Sequence, residues 1–326
     1  MKALRFIQQG RPEIVELDIP EIAEDEVLIA ARSVGVCHSD IDLLEGRYII
    51  PFSYPIIPGH EWAGEVVKVG SRVTGLMPGD RVVGECVIGV DHFGFSISGA
   101  AAEFFVAKPV WLHKLPDNLS YTMGALVEPF SVAYYALTRV GNVNASNTLV
   151  VLGAGPVGLA VTAAAATMGA VTVVVEPDET RRGISGQLGA KYAVHPDEID
   201  ELLHDITQGR GADVVVEVSG RPAVMARALE LVAFKGRVAY VGINVGDDAP
   251  AKLGLIQSKE LKITGSIGSP GVWPDTLRFL ANSGIDMTPL VTQHFDVNHA
   301  LEALDAAHDG QSTIKAHIEL TATLSD

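Results

Sequence analysis

At 326 residues, 48% of them apolar and 33 of them glycine, the chain is long enough for two domains that each bury a core, with the texture of an α/β protein rich in tight turns. Lys and Arg number 24 against 40 Asp and Glu, a formal charge of −16 that speaks against nucleic acid or an anionic membrane as partner and serves solubility. Cys37 and Cys86 cannot build a disulfide framework, Met1-Lys2-Ala3-Leu4-Arg5-Phe6 carries charge where a secretory leader needs an apolar run, and glycines interrupt the apolar stretch 148–175, so a cytoplasmic protein with no membrane span is expected.

Residues 1–120 read as short strands broken by turns: 27–32, 65–70 and, after the turn Met77-Pro78-Gly79, 80–84. That distribution predicts an all-β, barrel-like unit. From about Met123 the texture changes. Ala125 to Val140 has helical spacing, and strands at 148–152, 171–175, 213–218, 237–241 and 261–266, with a short one near Tyr192, then alternate with helices. This is the pattern of a doubly wound parallel sheet. The tail holds a helix from Asn298 to Ala307 and a closing strand, Ile314 to Leu320, and Pro, Gly and Ser cluster at 266–274 as at a domain crossing.

Leu149 to Gly158 carries the clearest functional signal. An apolar run meets Gly153, Gly155 and Gly158 in the spacing G-x-G-x-x-G, with Pro156 and Val157 opening an Ala-rich helix. The first glycine permits the turn, the second lets a pyrophosphate approach the backbone, and the third lets helix pack on strand. The helix N-terminus offers free N–H groups to phosphate. Val171 to Val175 then supplies a second strand, and Glu176 directly after it is placed to bind the adenosine ribose hydroxyls. An acid there repels a 2′-phosphate, which favours NAD, although Arg181 and Arg182 follow and could hold that phosphate instead of forming a solvated helix start. Ser219, Gly242, Ile243, Ser266 and Ile267 follow predicted strands at the carboxyl edge of the sheet and are expected to line the cofactor.

Cys37-His38-Ser39-Asp40 and Gly59-His60-Glu61 place thiolate, imidazole and carboxylate in the β-rich part, the ligand types of a catalytic zinc. Each also has a plain reading, a buried thiol or a loop-capping imidazole. On a strand His60 and Glu61 point to opposite faces, so both reach one ion only if the backbone kinks between them. Val127-Glu128-Pro129 adds a further carboxylate that needs a partner if buried. Cys37 with one carboxylate already neutralises Zn²⁺, so one of Glu61 and Glu128 is expected to act through the metal's water or to exchange with it.

Together these stretches, with Gly64, Gly70 and Gly79-Asp80-Arg81-Val82, resemble the zinc-dependent medium-chain alcohol and polyol dehydrogenases nearly end to end, including Ile314-Lys315. The resemblance implies a GroES-like catalytic domain from residues 1–129 and 269–326 around a Rossmann NAD-binding domain of residues 130–268. It implies Cys37, His60 and Glu61 as zinc ligands, Glu128 as fourth ligand or water-holder, Ser39 as the hydroxyl nearest the substrate oxygen, Asp40 as the partner of His60, and Lys315 among the cofactor contacts. The expected activity moves hydride between a secondary alcohol, polyol or sugar-derived hydroxyl and NAD, in a homodimer or homotetramer joined at the Rossmann sheet edge, 261–266.

Two departures stand out. The region after Gly84 has only Cys86 where many relatives carry a four-cysteine structural zinc lobe, so one zinc per chain is expected and Cys86 is read as core. Asp42 stands where some relatives place a proton-relaying histidine. Tyr48, Phe52, Trp62, Phe93 and Phe95 are candidate pocket residues. A zinc-free quinone or enone reductase of the same superfamily, or a non-catalytic NAD-binding protein, would each need the Cys37, His60 and Glu128 set to be idle.

Overall fold

The Val27–Val36 strand is buried along almost its whole length because it is shared on both sides. Its first half pairs with Phe104–Ala107, its second half with Lys315–Glu319 from the far end of the chain, and Glu61–Val69 runs along its other edge. Register shifts after Leu28 and Ala31 bend it, as bulges do, and let one strand serve three partners. The resulting seven-stranded sheet runs Val291–Asp296, Lys315–Glu319, Val27–Val36, Glu61–Val69, Arg81–Gly84, Leu112–Lys114, with Phe104–Ala107 off that path. The computed structural model describes residues 1–48, 50–244, 246–310 and 312–324. Two compact units result, residues 1–128 with 273–326 and residues 129–272. Aromatic rings fill the core of the first unit: Trp62 meets Phe105 edge-on at 4.7 Å and Phe93 at 5.9 Å.

The second unit holds a six-stranded parallel sheet in the order Tyr192–Val194, Val171–Val175, Thr148–Leu152, Ala212–Glu217, Val232–Tyr240, Lys262–Gly265. In sequence rank that is 3-2-1-4-5-6, the Rossmann order, whose crossover helices cover both faces. The strands are near-continuous Val and Leu runs because both faces are buried. The Pro156–Thr167 helix packs with small residues, Gly158 to Ala165, buried all round. Two cations outside the sheet interior terminate helices. Lys259 Nζ donates to the carbonyls of Leu229, Glu230 and Val232 at 3.1, 2.8 and 2.6 Å, where the Pro222–Leu231 helix ends. Arg237 does the same for Gly141 and Asn142 beyond the Val127–Val140 helix. Each satisfies carbonyls that a helix end leaves without partners.

Several elements lie outside the sequence expectation. The strand expected at 237–241 begins at Val232, directly after the helix before it. The Lys2–Gln8 and Arg11–Glu16 strands form an antiparallel pair turning at Gly10, and His38–Leu44 is a helix. Among the described residues no helix is long and apolar enough to cross a membrane.

Lys259→Met keeps the aliphatic stem and removes the three donors. It should lower unfolding stability by about 1–3 kcal/mol, measured by urea denaturation; an unchanged midpoint would deny the cap a role.

Candidate active site

The site begins where the Val27–Val36 strand stops. Cys37, still extended at φ −99° and ψ 155°, is the N-cap of the His38–Leu44 helix, and its N–H donates to Asp40 Oδ2 at 2.9 Å. The other oxygen of Asp40 accepts from the Gly59 N–H at 3.4 Å and lies 3.4 Å from His60 Nδ1. One carboxylate therefore ties Cys37 to His60.

Gly59 resolves the geometric objection to the pair His60 and Glu61. Its φ is +96°, and a Cβ there would lie 3.0 Å from the backbone nitrogen of Ala101. The chain kinks at this glycine, and the strand starts only at Glu61. His60 stands before the pleat and Glu61 is its first residue, so both side chains turn to one side. Ligand atoms of Cys37, His60 and Glu61 all lie within 4.8 Å of one another, with His60 4% and Glu61 1% exposed. Donors around a tetrahedral zinc stand about 3.5 Å apart at ordinary bond lengths, so small side-chain adjustments bring these three onto one ion. The donor set fits zinc.

Glu61 is also half of a buried ion pair. Lys315 Nζ lies 2.8 and 2.7 Å from its two oxygens and 3.2 Å from the carbonyl of Val36. Burial alone would push Lys315 down, but the Glu61 charge outweighs it and holds the ammonium above its usual range. Gly35 makes the room: it pairs with Glu61 on one side and His317 on the other, and a Cβ there would lie 2.4 Å from Glu61 Oε2. His317, held through Nδ1 by the Ser33 hydroxyl at 2.9 Å, is pushed down to about 3 by burial and by Lys315, so it adds no charge. At His60 burial works against protonation, but Asp40 outweighs it and raises the imidazole well above its ordinary value. Glu128, at the start of the Val127–Val140 helix, is pushed up to about 7 by burial and by the charges of Glu61 and Asp40, against the pull of His60 and Lys315. It therefore stands in the field of the same cluster. The Ser39 hydroxyl lies 3.3 Å from His60 Nε2.

The aromatic candidates divide. Trp62, Phe93 and Phe95 are 3%, 2% and 1% exposed and belong to the core. Phe95 supports the site from below, its ring 4.8 Å from that of His60 and 4.8 Å from that of Tyr48. Tyr48 is half-buried, and burial and the nearby Cys37 keep its phenol protonated. Phe52 is half-buried against Tyr54. Cys86 packs at the core's edge with its thiol 3.7 Å from the Phe93 carbonyl, and burial pushes it up to about 12. This packing agrees with the reading of Cys86 as core. Asp42 forms an ion pair with Arg47 at 3.2 Å.

In the second unit Gly153, at φ +108°, ends the first strand, and Gly155 caps the helix that Pro156 and Val157 open. A Cβ on Gly158 would lie 2.1 Å from the Gly153 carbonyl, so only glycine lets helix and strand approach. Around Gly155 a Cβ would meet only Arg181 Nη1, at 4.0 Å, which leaves backbone accessible beside a guanidinium. Glu176 accepts from the Ala154 N–H at 2.8 Å and the Asp178 N–H at 3.1 Å. Arg182 is engaged by the carbonyls of Glu176 and Pro177 at 2.8 and 2.6 Å. Ser219, Gly242, Ile243, Ser266 and Ile267 follow three of the parallel strands, as expected. Lys315 departs from the expectation of a cofactor contact: it is 3% exposed and held by Glu61.

A barrel-like sheet carrying a thiol–imidazole–carboxylate cluster, together with a Rossmann sheet carrying a dinucleotide turn, defines a zinc-type nicotinamide-dependent dehydrogenase. Residues 23–117 match the alcohol dehydrogenase GroES-like domain, and residues 156–282 match the zinc-binding dehydrogenase family. The chain is 32% identical to sorbitol dehydrogenase of Bacillus subtilis, covering 94% of this chain and 93% of that protein. It is 29% identical to D-arabitol-phosphate dehydrogenase of Enterococcus avium over the same shares. Among solved structures, 2R,3R-butanediol dehydrogenase from Bacillus subtilis is 30% identical with a TM-score of 0.89, covering 98% of this chain and 99% of that one. The chain belongs to the zinc-type medium-chain dehydrogenases, in the branch that resembles sorbitol dehydrogenase.

In zinc-free protein, Lys315→Met strands Glu61 as a buried, uncompensated charge and should cost about 3–5 kcal/mol of stability. Adding Glu61→Gln should recover most of that loss. Urea unfolding of both single variants and the double reads the coupling, and strictly additive losses would show that the pair does not act as one.

Proposed function

We propose that the protein is an NAD-dependent zinc dehydrogenase that moves hydride between a secondary alcohol, polyol or sugar-derived hydroxyl and the nicotinamide. The observation that carries this reading is the convergence of Cys37, His60 and Glu61, with Glu128 in their field, in a chain of this family. When bound, zinc supplies Lewis acidity that lowers the pKa of an alcohol, and NAD supplies the hydride acceptor. Cys37 and His60 are the fixed ligands, held in register by Asp40. Glu61 and Glu128 share the remaining role. Lys315 already balances Glu61, which supports Glu61 as the carboxylate that exchanges between the ammonium and the ion, and Glu128 as the one that holds water or substrate. Ser39, beside His60 Nε2, relays the proton of the substrate hydroxyl, accepting it while its own hydroxyl proton passes on toward solvent. Tyr48, at the half-buried end of the ring stack over His60, offers a neutral phenol to a second substrate hydroxyl.

For the cofactor, Glu176 beside the glycine turn supports NAD over NADP, since its charge opposes a 2′-phosphate. Arg182 is engaged by backbone carbonyls, and Arg181 beside Gly155 supports a contact to the bound dinucleotide. The exposed edge strand Lys262–Gly265, with Ile263 40% exposed, supports pairing of subunits into a dimer or tetramer. Two free cysteines support a reducing, cytoplasmic setting.

Cys37→Ser and His60→Ala should each lose zinc and turnover while NADH affinity, read by fluorescence titration, stays at the wild-type value. Full NADH formation from diols, sugar alcohols and cyclic secondary alcohols by zinc-free protein would overturn the mechanism. The ratio of kcat/KM for NAD over NADP should exceed one and fall by about tenfold in Glu176→Ala, equivalent to about 1.4 kcal/mol; a wild-type preference for NADP would reverse the cofactor assignment.

A further inference from the structure

Glu217 is an acid that closes a run of valines. It ends the strand Ala212–Glu217 after Val214, Val215 and Val216, and none of its surface is exposed. A carboxylate so placed costs free energy unless donors satisfy it. Three donors converge on one oxygen: the Ser219 N–H at 2.7 Å, the Ser219 hydroxyl at 2.5 Å and the Gly220 N–H at 3.1 Å. The backbone carbonyl of the same residue accepts from the N–H groups of Val241 and Gly242 at 2.9 and 3.1 Å.

These bonds knit three loops into one surface. A Cβ on Gly242 would lie 2.1 Å from the nitrogen of Gly220, and one on Gly220, at φ +67°, would lie 2.3 Å from the Ile243 carbonyl. On the other side Val218 donates to the Leu152 carbonyl at 3.1 Å, and its Cγ2 would lie 2.9 Å from a Cβ on Gly158. The Ser219 side chain closes against Gly153, 3.4 Å from where a Cβ would stand. The glycine turn, the Ser219–Gly220 turn and the Gly242–Ile243 loop therefore touch in sequence, and the Glu217 side chain shapes the middle one.

We propose that Glu217 is a positioning residue for the dinucleotide: its Oε1 gathers the donors of Ser219 and Gly220 and so sets the wall against which the cofactor lies, without touching it. This rests on the reading of these loops as the cofactor site. The hydrogen-bond pattern separates acceptor from charge. Because all three donors meet Oε1, a glutamine amide oxygen can receive them, and its amide nitrogen replaces Oε2, whose hydrogen bond among the described residues is the long one from Gly220 N at 3.4 Å.

The test uses the full-length, zinc-loaded protein, with NADH dissociation constants from fluorescence titration, steady-state KM and kcat, zinc content and urea unfolding. Glu217→Leu should raise the NADH dissociation constant and the KM for NAD by about tenfold or more, leaving zinc content, the KM for alcohol and kcat at saturating NAD near wild type. Glu217→Gln should stay within about threefold of wild type in every reading. Folded Glu217→Leu with wild-type NADH affinity overturns the proposal, and so does Glu217→Gln as impaired as Glu217→Leu. If Glu217→Leu does not fold, Glu217→Met, which keeps the length and removes the acceptor, decides by the same readings: weaker NADH binding with wild-type zinc content supports the proposal and unchanged binding overturns it. Wild-type protein that binds neither NADH nor NADPH overturns the cofactor reading itself.

Discussion

The first unit is arranged around one buried ion pair, Glu61 with Lys315. Burying two charges costs several kcal/mol per ion before their attraction is counted, and a hydrophobic pair at the same positions would hold the strands together as well. The geometry around the pair explains its presence. Glu61 opens one strand, Lys315 opens another from the far end of the chain, and the bare Cα of Gly35 on the strand between leaves room for the carboxylate. The same carboxylate stands within ligand distance of Cys37 and His60. Lys315 thus keeps a negative group at a metal centre without leaving it uncompensated when the metal's other ligands already carry enough charge.

Around that pair, short-range devices hold the cluster's other two members, Cys37 and His60. Asp40 binds the Cys37 N–H with one oxygen and faces Gly59 and His60 with the other. The left-handed turn at Gly59 separates His60 from the pleat that would otherwise send it to the opposite face from Glu61. The second unit solves a different problem, presenting backbone to an anionic ligand. Its glycines are required by close approach, its acids are satisfied by backbone N–H groups, and its helix ends are closed by lysine and arginine.

What could be read in the sequence was local. The Rossmann strands are apolar runs with glycine punctuation, and their order follows from the βαβ rule; Gly153 to Gly158 and Glu176 lie within one such unit. The ligand types were legible as Cys37 and Gly59-His60-Glu61, but the kink that lets His60 and Glu61 act together depends on a positive φ that the sequence only hints at through Gly59. The pairing of Lys315 with Glu61 is decided by the register of a C-terminal strand on an N-terminal one, which no local pattern encodes. The same holds for the division of the aromatics, where hydrophobicity alone does not separate Phe95 in the core from Tyr48 at its edge. The His38–Leu44 helix was hidden because its cap is a cysteine, a residue seldom found in that role. Glu217 lacks a motif: only its total burial and its three donors mark it.

X-ray absorption at the zinc edge of the purified protein tests the central claim most directly. One zinc per chain with a single sulfur in its first shell, the remaining ligands nitrogen and oxygen, and loss of that sulfur in Cys37→Ser, is the predicted result. A shell with two or more sulfurs, or a sulfur signal that survives Cys37→Ser, would contradict the assignment of Cys37, His60 and a carboxylate as the metal site.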